Sequence, residues 1–262
     1  MIKLVATDID GTILIPEGEF TQNVKNCISK LNENGVIVVL VTGRMHAAAS
    51  LIAKDLGLTT PVVSYQGGLI KTGETTLYEK YLTEEQAELI LYWAKNENIH
   101  INLYNDDILY SETDCYEVKR YCNNLHTCYT CRDFNLVKKN KINKLLAIDY
   151  NNPERIAILE KELQEKFPEL YIVKSTPYFL EFSNKEASKY CAVKYLQNYY
   201  DLDESEILTI GDQNNDIALL KAGGIKVAMG NATEELKQIA TYVTKSVYED
   251  GFVNAIEQFC FH

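Results

Sequence analysis

The stretch that decides the fold is IKLVATDIDGT, residues 2–12. A largely apolar run, residues 2–6, is soon followed by Asp8, Asp10 and Gly11, which is typical of a buried parallel strand that ends in polar residues. Alternate residues of an extended segment point to the same side, so we expect both carboxylates to face one point. Two adjacent carboxylates resist joint ionisation unless a cation neutralises them, and Mg²⁺, which prefers oxygen ligands, suits such a pair. Taken alone, the segment is also compatible with a turn that carries two solvated aspartates.

The same pattern returns at two other places. Residues 36–41, VIVVLV, end at Thr42 and Gly43, and residues 206–210, EILTI, run into Gly211 and Asp212. Helical patterns separate these runs, so we predict βαβ units and an α/β fold with a doubly wound parallel sheet. Ligands of such sheets bind beyond the carboxyl ends of the strands. Three strands carry their polar residues to that edge, which predicts one shared site.

The middle of the chain has a different pattern. Short β-type runs alternate with helical stretches, and a polar turn at 105–107 predicts an antiparallel hairpin. We therefore predict an inserted α+β domain at 81–186 within a core domain made of 1–80 and 187–262. The predicted helices of the insert are 84–96, 114–124 and 153–167, and its predicted strands are 99–104, 108–111, 145–150, 171–174 and 179–182.

Three further elements favour a functional site over a turn with two solvated aspartates. Thr42 and Gly43 offer a hydroxyl and backbone N–H donors for phosphate oxygens, although an ordinary strand-to-helix turn has the same composition. Lys189 begins a helical pattern just after the inserted region, where a solvated lysine is as common as a functional one. Residues 211–216, GDQNND, crowd more acidic and amide groups at a strand end than a solvent loop needs.

Taken in chain order, these elements resemble the four motifs of the haloacid dehalogenase superfamily of phosphotransferases. DIDGT is similar to the first motif, the threonine of VTGR to the second, Lys189 to the third and GDQNND to the fourth. Residues 227–232 and 249–251 look most like the Cof-type sugar-phosphatase branch of that superfamily. The resemblance implies a Rossmann-like core with a large α/β cap inserted between the second and third motifs. It also implies a Mg²⁺-dependent phosphatase that acts on small phosphorylated metabolites, sugar phosphates above all.

The resemblance implies a role for each matched residue. Asp8 would form an aspartyl-phosphate, and Asp10 would act as general acid and then as general base. The Mg²⁺ ligands would be Asp8, Asp212 and the backbone carbonyl of Asp10. The remaining assignments are phosphate binding for Thr42, Gly43, Lys189 and Asn215, and orientation of these groups for Asp216. The acid at Asp10 favours phosphoryl transfer, because the family's dehalogenases lack an acid at that position.

Two positions depart from the family pattern. Tyr190 follows the lysine of the third motif, and residues 65–68, YQGG, follow the third strand. Neither departure falls on a residue to which a role is assigned.

Two other functions stay open. A phosphomutase would share the nucleophile and return the phosphoryl group to its product. A non-catalytic protein that binds phosphorylated metabolites and regulates a partner is the other alternative.

The composition and net charge of the chain indicate which binding partners and which cellular compartment to expect. The chain has 262 residues, with 26 Lys and Arg against 37 Asp and Glu, so its net charge is −11. A surface this acidic repels nucleic-acid phosphates and anionic lipid, so we expect neither nucleic acid nor a membrane as partner. The N-terminus lacks a signal-peptide pattern, and no apolar run approaches the roughly 20 residues that cross a bilayer. We therefore expect a cytoplasmic protein with reduced cysteines. The sequence indicates no particular oligomeric state and is compatible with a monomer.

Two groups of residues in the insert have more than one interpretation. Five thiol and imidazole residues lie within seventeen positions and suit plain thiols, which we favour, a zinc site or a redox pair; they are Cys115, Cys122, His126, Cys128 and Cys131. A basic group suits a solvated face, which we favour, or recognition of a second anion on the substrate. Its members are Arg120, Arg132, Lys138, Lys139 and Lys141.

Overall fold

The computed structural model of the chain describes residues 1–125, 127–137 and 139–261. His126 and Lys138, which the sequence analysis names, lie outside these ranges. The chain divides into two units, one formed by Met1–Tyr78 with Ser188–His262 and the other by Glu79–Ala187. No helix in the described part of the chain combines the length and the apolar composition needed to cross a bilayer.

Strands and helices are interspersed along the chain. The strands are β1 (Leu4–Thr7), β2 (Ile37–Leu40), β3 (Val62–Ser64), β4 (Leu69–Thr72), β5 (Thr75–Glu79), β6 (His100–Asn105), β7 (Ile108–Ser111), β8 (Thr130–Cys131), β9 (Ile142–Ile148), β10 (Leu170–Thr176), β11 (Phe179–Asn184), β12 (Ile207–Gly211), β13 (Ile225–Ala228) and β14 (Tyr242–Val243). The helices are α1 (Gln22–Glu33), α2 (His46–Asp55), α3 (Glu84–Asn96), α4 (Tyr116–Leu125), α5 (Pro153–Lys166), α6 (Lys189–Tyr199), α7 (Ile217–Leu220), α8 (Glu234–Ile239) and α9 (Gly251–Cys260).

The first unit is built around a parallel sheet in the order β14-β13-β12-β1-β2. Every residue of β1 is buried, as expected for a parallel strand covered by helices on both faces. Thr7, the last residue of β1, lies opposite Leu40 of β2 and Ile210 of β12. The carboxyl ends of these three strands are therefore level at one edge. The predicted α/β class with a doubly wound parallel sheet is confirmed.

A smaller antiparallel sheet extends the first unit and was not predicted from the sequence. Its order is β3-β4-β5, and Val63 of β3 forms a parallel bridge to Val41, one residue after β2. The strands are short, with three to five residues each, so the periodic signal that reveals a strand is weak. The chain leaves β3 through a tight turn, residues 65–67, at the same edge as the ends of β1 and β2.

The second unit contains a six-stranded sheet in the order β10-β11-β9-β6-β7-β8. The predicted hairpin at 105–107 is present, since β6 and β7 pair antiparallel and both Asp106 and Asp107 have the positive φ of a tight hairpin turn. α3 packs on the sheet through Trp93 and Phe182, whose rings lie 5.3 Å apart. The unit has its own apolar core, separate from that of the first unit. The predicted helices and strands of the insert are present within a few residues of their predicted bounds.

Candidate active site

Asp8 lies directly after β1 and is buried, with 6% of its surface exposed. Its backbone N–H donates to the carbonyl oxygen of Ile210, which extends the pairing of β1 with β12 by one step. The chain then turns sharply, because the backbone N–H groups of Thr12, Ile13 and Leu14 all donate to the carbonyl oxygen of Ile9. The end of β1 therefore places the Asp8 carboxylate in the interior, at the edge of the sheet where β1, β2 and β12 all end.

Lys189 meets this carboxylate from the other side. It is the first residue of α6, and Ser188 caps that helix by accepting a hydrogen bond from the Cys191 N–H. The Lys189 Nζ lies 2.8 Å from Asp8 Oδ1 and 2.6 Å from Asp216 Oδ1, and its side chain is fully buried. Burial lowers the pKa of the ammonium, but the charges of Asp216 and Asp8 outweigh that effect and raise it, so Lys189 stays protonated. The solvated interpretation of this lysine is wrong.

Asp216 organises the loop that follows β12. While its Oδ1 accepts from Lys189, its Oδ2 accepts from the backbone N–H groups of Asp212 and Gln213, at 2.9 and 3.0 Å. Both carboxylate oxygens are therefore occupied by protein donors. A side chain at Gly211 would collide with the Asp216 carboxylate, so the glycine is required by this packing. Asp216 thus holds the loop and the lysine together.

Asp212 packs against Gly11 and Thr12 of the DIDGT turn. Its carboxylate accepts hydrogen bonds from Thr12 Oγ1 at 3.3 Å, Gln213 Nε2 at 3.1 Å and Asn231 Nδ2 at 3.4 Å. Gly11 has φ +75°, and a Cβ at that position would clash with this carboxylate. The glycine of DIDGT therefore permits both the left-handed backbone and the close approach of Asp212.

The three buried carboxylates form a group that suits a divalent cation. Oxygen atoms of Asp8, Asp212 and Asp216 all lie within 4.8 Å of one another. Burial, and then the neighbouring charge of Asp216, raise the pKa of Asp8 well above its ordinary value and that of Asp212 to about 7. The single ammonium of Lys189 cannot balance three carboxylates, so full ionisation leaves excess negative charge. Hard oxygen donors with excess negative charge fit Mg²⁺.

Asp10 is placed differently from the other aspartates. Its side chain is about half exposed, lies outside the group of three, and forms a two-pronged ion pair with Arg44, at 2.8 and 2.6 Å. Arg44 follows Thr42 and Gly43 shortly after β2 and was not among the residues predicted from the sequence. A doubly hydrogen-bonded Arg–carboxylate pair fixes both position and orientation. The sequence does contain a signal for this ion pair, namely the arginine of VTGR. Because the neighbouring strands β1 and β2 end side by side, the residues of VTGR lie beside those of DIDGT.

Thr42, Gly43 and Asn215 complete the set of predicted residues. Thr42 is buried two residues after β2, and its hydroxyl oxygen accepts a hydrogen bond from the backbone N–H of Arg44 at 3.2 Å; Gly43 lies between the two. Asn215 donates from Nδ2 to Gln66 Oε1 at 3.3 Å. Its own Oδ1 is buried without a hydrogen-bond partner in the described structure, which suits a site that takes a ligand.

The turn after β3 contacts several residues of the site, and these contacts were not predicted from the sequence. Tyr65 and Gln66 both have positive φ, and Gln66 contacts Asn215 through its side chain and Thr42 through its backbone N–H. Gly67 has φ +107°, and a Cβ there would clash with the backbone carbonyl of Ser188. The YQGG turn therefore lies against the start of α6 and sets the position of Lys189.

Comparison with known proteins agrees with this geometry. A family model described as haloacid dehalogenase-like hydrolase matches residues 5–256. A Streptococcus pyogenes serotype M6 protein with a provisional phosphatase name is 32% identical, and the alignment covers 98% of each chain. The phosphatase YwpJ of Bacillus subtilis is 27% identical over 98% of this chain and 99% of its own. A solved structure from Thermotoga maritima is 31% identical, with a TM-score of 0.84 and coverage of 99% and 98%.

Proposed function

The chain belongs to the family of haloacid dehalogenase-like hydrolases and is a phosphatase, and from this premise we propose that it hydrolyses phosphomonoesters through a phosphoryl group carried on Asp8. The observation that supports this most is the buried contact of Lys189 Nζ with Asp8 Oδ1 at 2.8 Å, beside Asp212 and Asp216. Burying three carboxylates around one ammonium is costly, which favours a catalytic role over a solvated acidic turn.

In the first step, Asp8 attacks phosphorus and the bond from phosphorus to the ester oxygen breaks. Lys189 holds the Asp8 carboxylate by one oxygen, so the other is left to form the new bond to phosphorus. Asp10 donates a proton to the departing alkoxide, which leaves as the alcohol. A covalent intermediate replaces one difficult displacement by two easier ones.

In the second step, water attacks the phosphoryl group on Asp8. Asp10, now a carboxylate, takes the proton from this water, and the bond between phosphorus and Asp8 breaks to release inorganic phosphate. The ion pair with Arg44 supports this role of Asp10, because it holds the carboxyl group at the edge of the site where solvent reaches it. Arg44 is thus a positioning residue for the acid and base.

The phosphoryl oxygens need positive charge and fixed donors as negative charge redistributes during transfer. We assign these donors to the Thr42 hydroxyl, the Gly43 N–H, the Lys189 ammonium and the Asn215 amide. Mg²⁺ would be held by Asp8, Asp212 and the backbone carbonyl of Asp10, and when bound it would neutralise charge on Asp8 and the phosphate. Asp216 would orient Lys189 and the loop that carries Asp212.

The proposed substrate is a small phosphorylated metabolite, with sugar phosphates as the favoured class because the motifs resemble the Cof-type branch. The net charge of −11 supports a small substrate over a polyanionic one. We propose further that the unit Glu79–Ala187 selects the substrate. Seven unpaired cysteines are consistent with action in the reducing cytoplasm.

The test is substitution of the nucleophile, Asp8→Asn, with hydrolysis of p-nitrophenyl phosphate as the readout. We expect a loss of at least about 10⁴-fold in kcat, as for other covalent nucleophiles. The matched control is Asp55→Asn, since Asp55 is an exposed carboxylate paired with Lys25. Acid-quenched wild-type enzyme should carry one phosphoryl group on the peptide that contains Asp8. Unchanged turnover by Asp8→Asn, or full activity after metal chelation, would refute the mechanism.

A further inference from the structure

A second group of ligand-type side chains lies in the unit Glu79–Ala187. His100 begins β6, and Cys115 and Glu117 lie at the start of α4. One ligand atom from each of the three lies within 4.8 Å of the other two. All three side chains are partly buried and line a pocket of about 660 Å³, whose walls also include Tyr92, Lys95 and Phe134.

The tautomer of His100 leaves one ring nitrogen for a ligand. Its Nε2 lies 2.8 Å from Asn102 Oδ1, and an amide oxygen only accepts, so Nε2 carries the proton. In a neutral imidazole Nδ1 then has the lone pair, and this atom lies 3.2 Å from Cys115 Sγ. A metal-bound histidine usually donates its other ring N–H to an oxygen in this way, which orients the ring. Burial lowers the pKa of His100 and so favours the neutral imidazole at pH 7.

We propose that His100 Nδ1, Cys115 Sγ and a Glu117 carboxylate oxygen bind a zinc ion, with the fourth position open to the pocket. Zinc bonds of about 2.0 Å to nitrogen and 2.3 Å to sulfur, at tetrahedral angles, place the two ligand atoms about 3.5 Å apart. The observed separation of 3.2 Å requires only a few tenths of an ångström of adjustment.

The ligand set selects the metal. A thiolate and an imidazole suit Zn²⁺ and disfavour Mg²⁺, which prefers oxygen ligands in octahedral geometry. Binding replaces the proton that Cys115 shares with His100, so the ion gains a thiolate ligand and one proton passes to solvent. Three protein ligands and an open fourth position leave room for water or a small ligand from the pocket.

This site differs from the cysteine group that the sequence suggests. Cys128 and Cys131 are exposed, and neither joins a ligand group among the residues that the structure describes. Cys122 is buried, and burial raises the pKa of its thiol to about 11, which disfavours a thiolate there. Among the cysteines of that group, and within the residues that the structure describes, only Cys115 joins a histidine nitrogen and a carboxylate in a ligand group, because the fold brings the starts of β6 and α4 together.

The experiment is a Co²⁺ titration of the full chain under reducing conditions, with Mg²⁺ in excess. Cobalt bound by a thiolate absorbs by sulfur-to-metal charge transfer, whereas cobalt at the proposed Mg²⁺ ligands Asp8, Asp212 and the Asp10 carbonyl would have no sulfur ligand. We expect wild-type protein to show this absorption at one equivalent, and one equivalent of Zn²⁺ to abolish it. Cys115→Ser should lack the absorption, and Cys131→Ser, the matched control, should keep it.

Two further variants keep the test sharp if Cys115→Ser folds poorly. Glu117→Gln changes one partly buried carboxylate and should weaken metal affinity while circular dichroism stays that of the wild type. Asn102→Leu removes the acceptor behind the imidazole and should weaken affinity about 10- to 100-fold. Absence of the absorption in wild-type protein would overturn the proposal. So would its persistence in Cys115→Ser, its loss in Cys131→Ser, or unchanged affinity in Glu117→Gln.

Discussion

Gly67→Ala is the substitution that most directly tests how the site is supported. Gly67 lies in the turn after β3 with φ +107°, and a Cβ there would overlap the backbone carbonyl of Ser188. Ser188 is the N-cap of α6, and the next residue is Lys189. The added methyl group therefore pushes on the residue that immediately precedes the lysine.

The magnitude follows from two contributions. An L-residue in a left-handed backbone conformation costs about 1–2 kcal/mol. Forcing an extra methyl group into packed structure costs about 1–3 kcal/mol more. We therefore expect the free energy of unfolding to fall by about 2–5 kcal/mol. A displacement of the Lys189 ammonium approaching 1 Å should lower kcat by up to about 100-fold.

The chain offers a matched control in Gly73→Ala. Gly73 also has positive φ, +52°, but a Cβ there meets no atom within 4 Å. This variant should lose only the 1–2 kcal/mol of backbone strain, about the lower part of the Gly67→Ala effect, and keep its kcat. Urea denaturation measures the free energies, and p-nitrophenyl phosphate hydrolysis measures kcat. Equal stability and equal kcat in the two variants would refute the support assigned to the YQGG turn.

Three other perturbations have defined outcomes. Arg44→Ala should lower kcat about 10-fold with little change in KM, because Asp10 loses the partner that holds it; an unchanged kcat would exclude that role. Asp216→Asn removes one of two carboxylates from a buried ammonium and should cost about 3 kcal/mol in urea denaturation, whereas Asp55→Asn at the exposed Lys25 pair should change little. The pKa of Asp212 is raised from 3.8 to about 7, so the folded metal-free protein keeps a proton that the unfolded chain releases, and its stability should fall as pH rises from about 4 to 7. Mg²⁺ should accordingly raise the melting temperature more at pH 8 than at pH 5, and equal shifts at both pH values would contradict the assignment.

The sequence alone determined the sheet and the chemistry at its edge. Runs such as 36–41 are apolar along their whole length and end abruptly in polar residues, and this signal is local, so it survives without tertiary information. The helices and strands of the insert could also be predicted from the sequence, because its helices have clear periodicity and its hairpins have typical turn residues. Asp8, Thr42 and Asp212 were predicted to share one site because the carboxyl ends of parallel strands share an edge, and Lys189 was added through the resemblance to the third family motif.

Only the tertiary structure decided how these residues act on one another. Lys189 and Asp8 are 181 positions apart, and whether the ammonium is solvated or fully buried depends on packing that no local pattern encodes. The same holds for Asp10, which pairs with Arg44 instead of joining the buried carboxylates. Cys115 was grouped with its sequence neighbours, yet the fold places it against His100. Residue types and periodicity report on the nearest few positions, whereas burial, charge balance and ligand geometry arise only when distant segments meet.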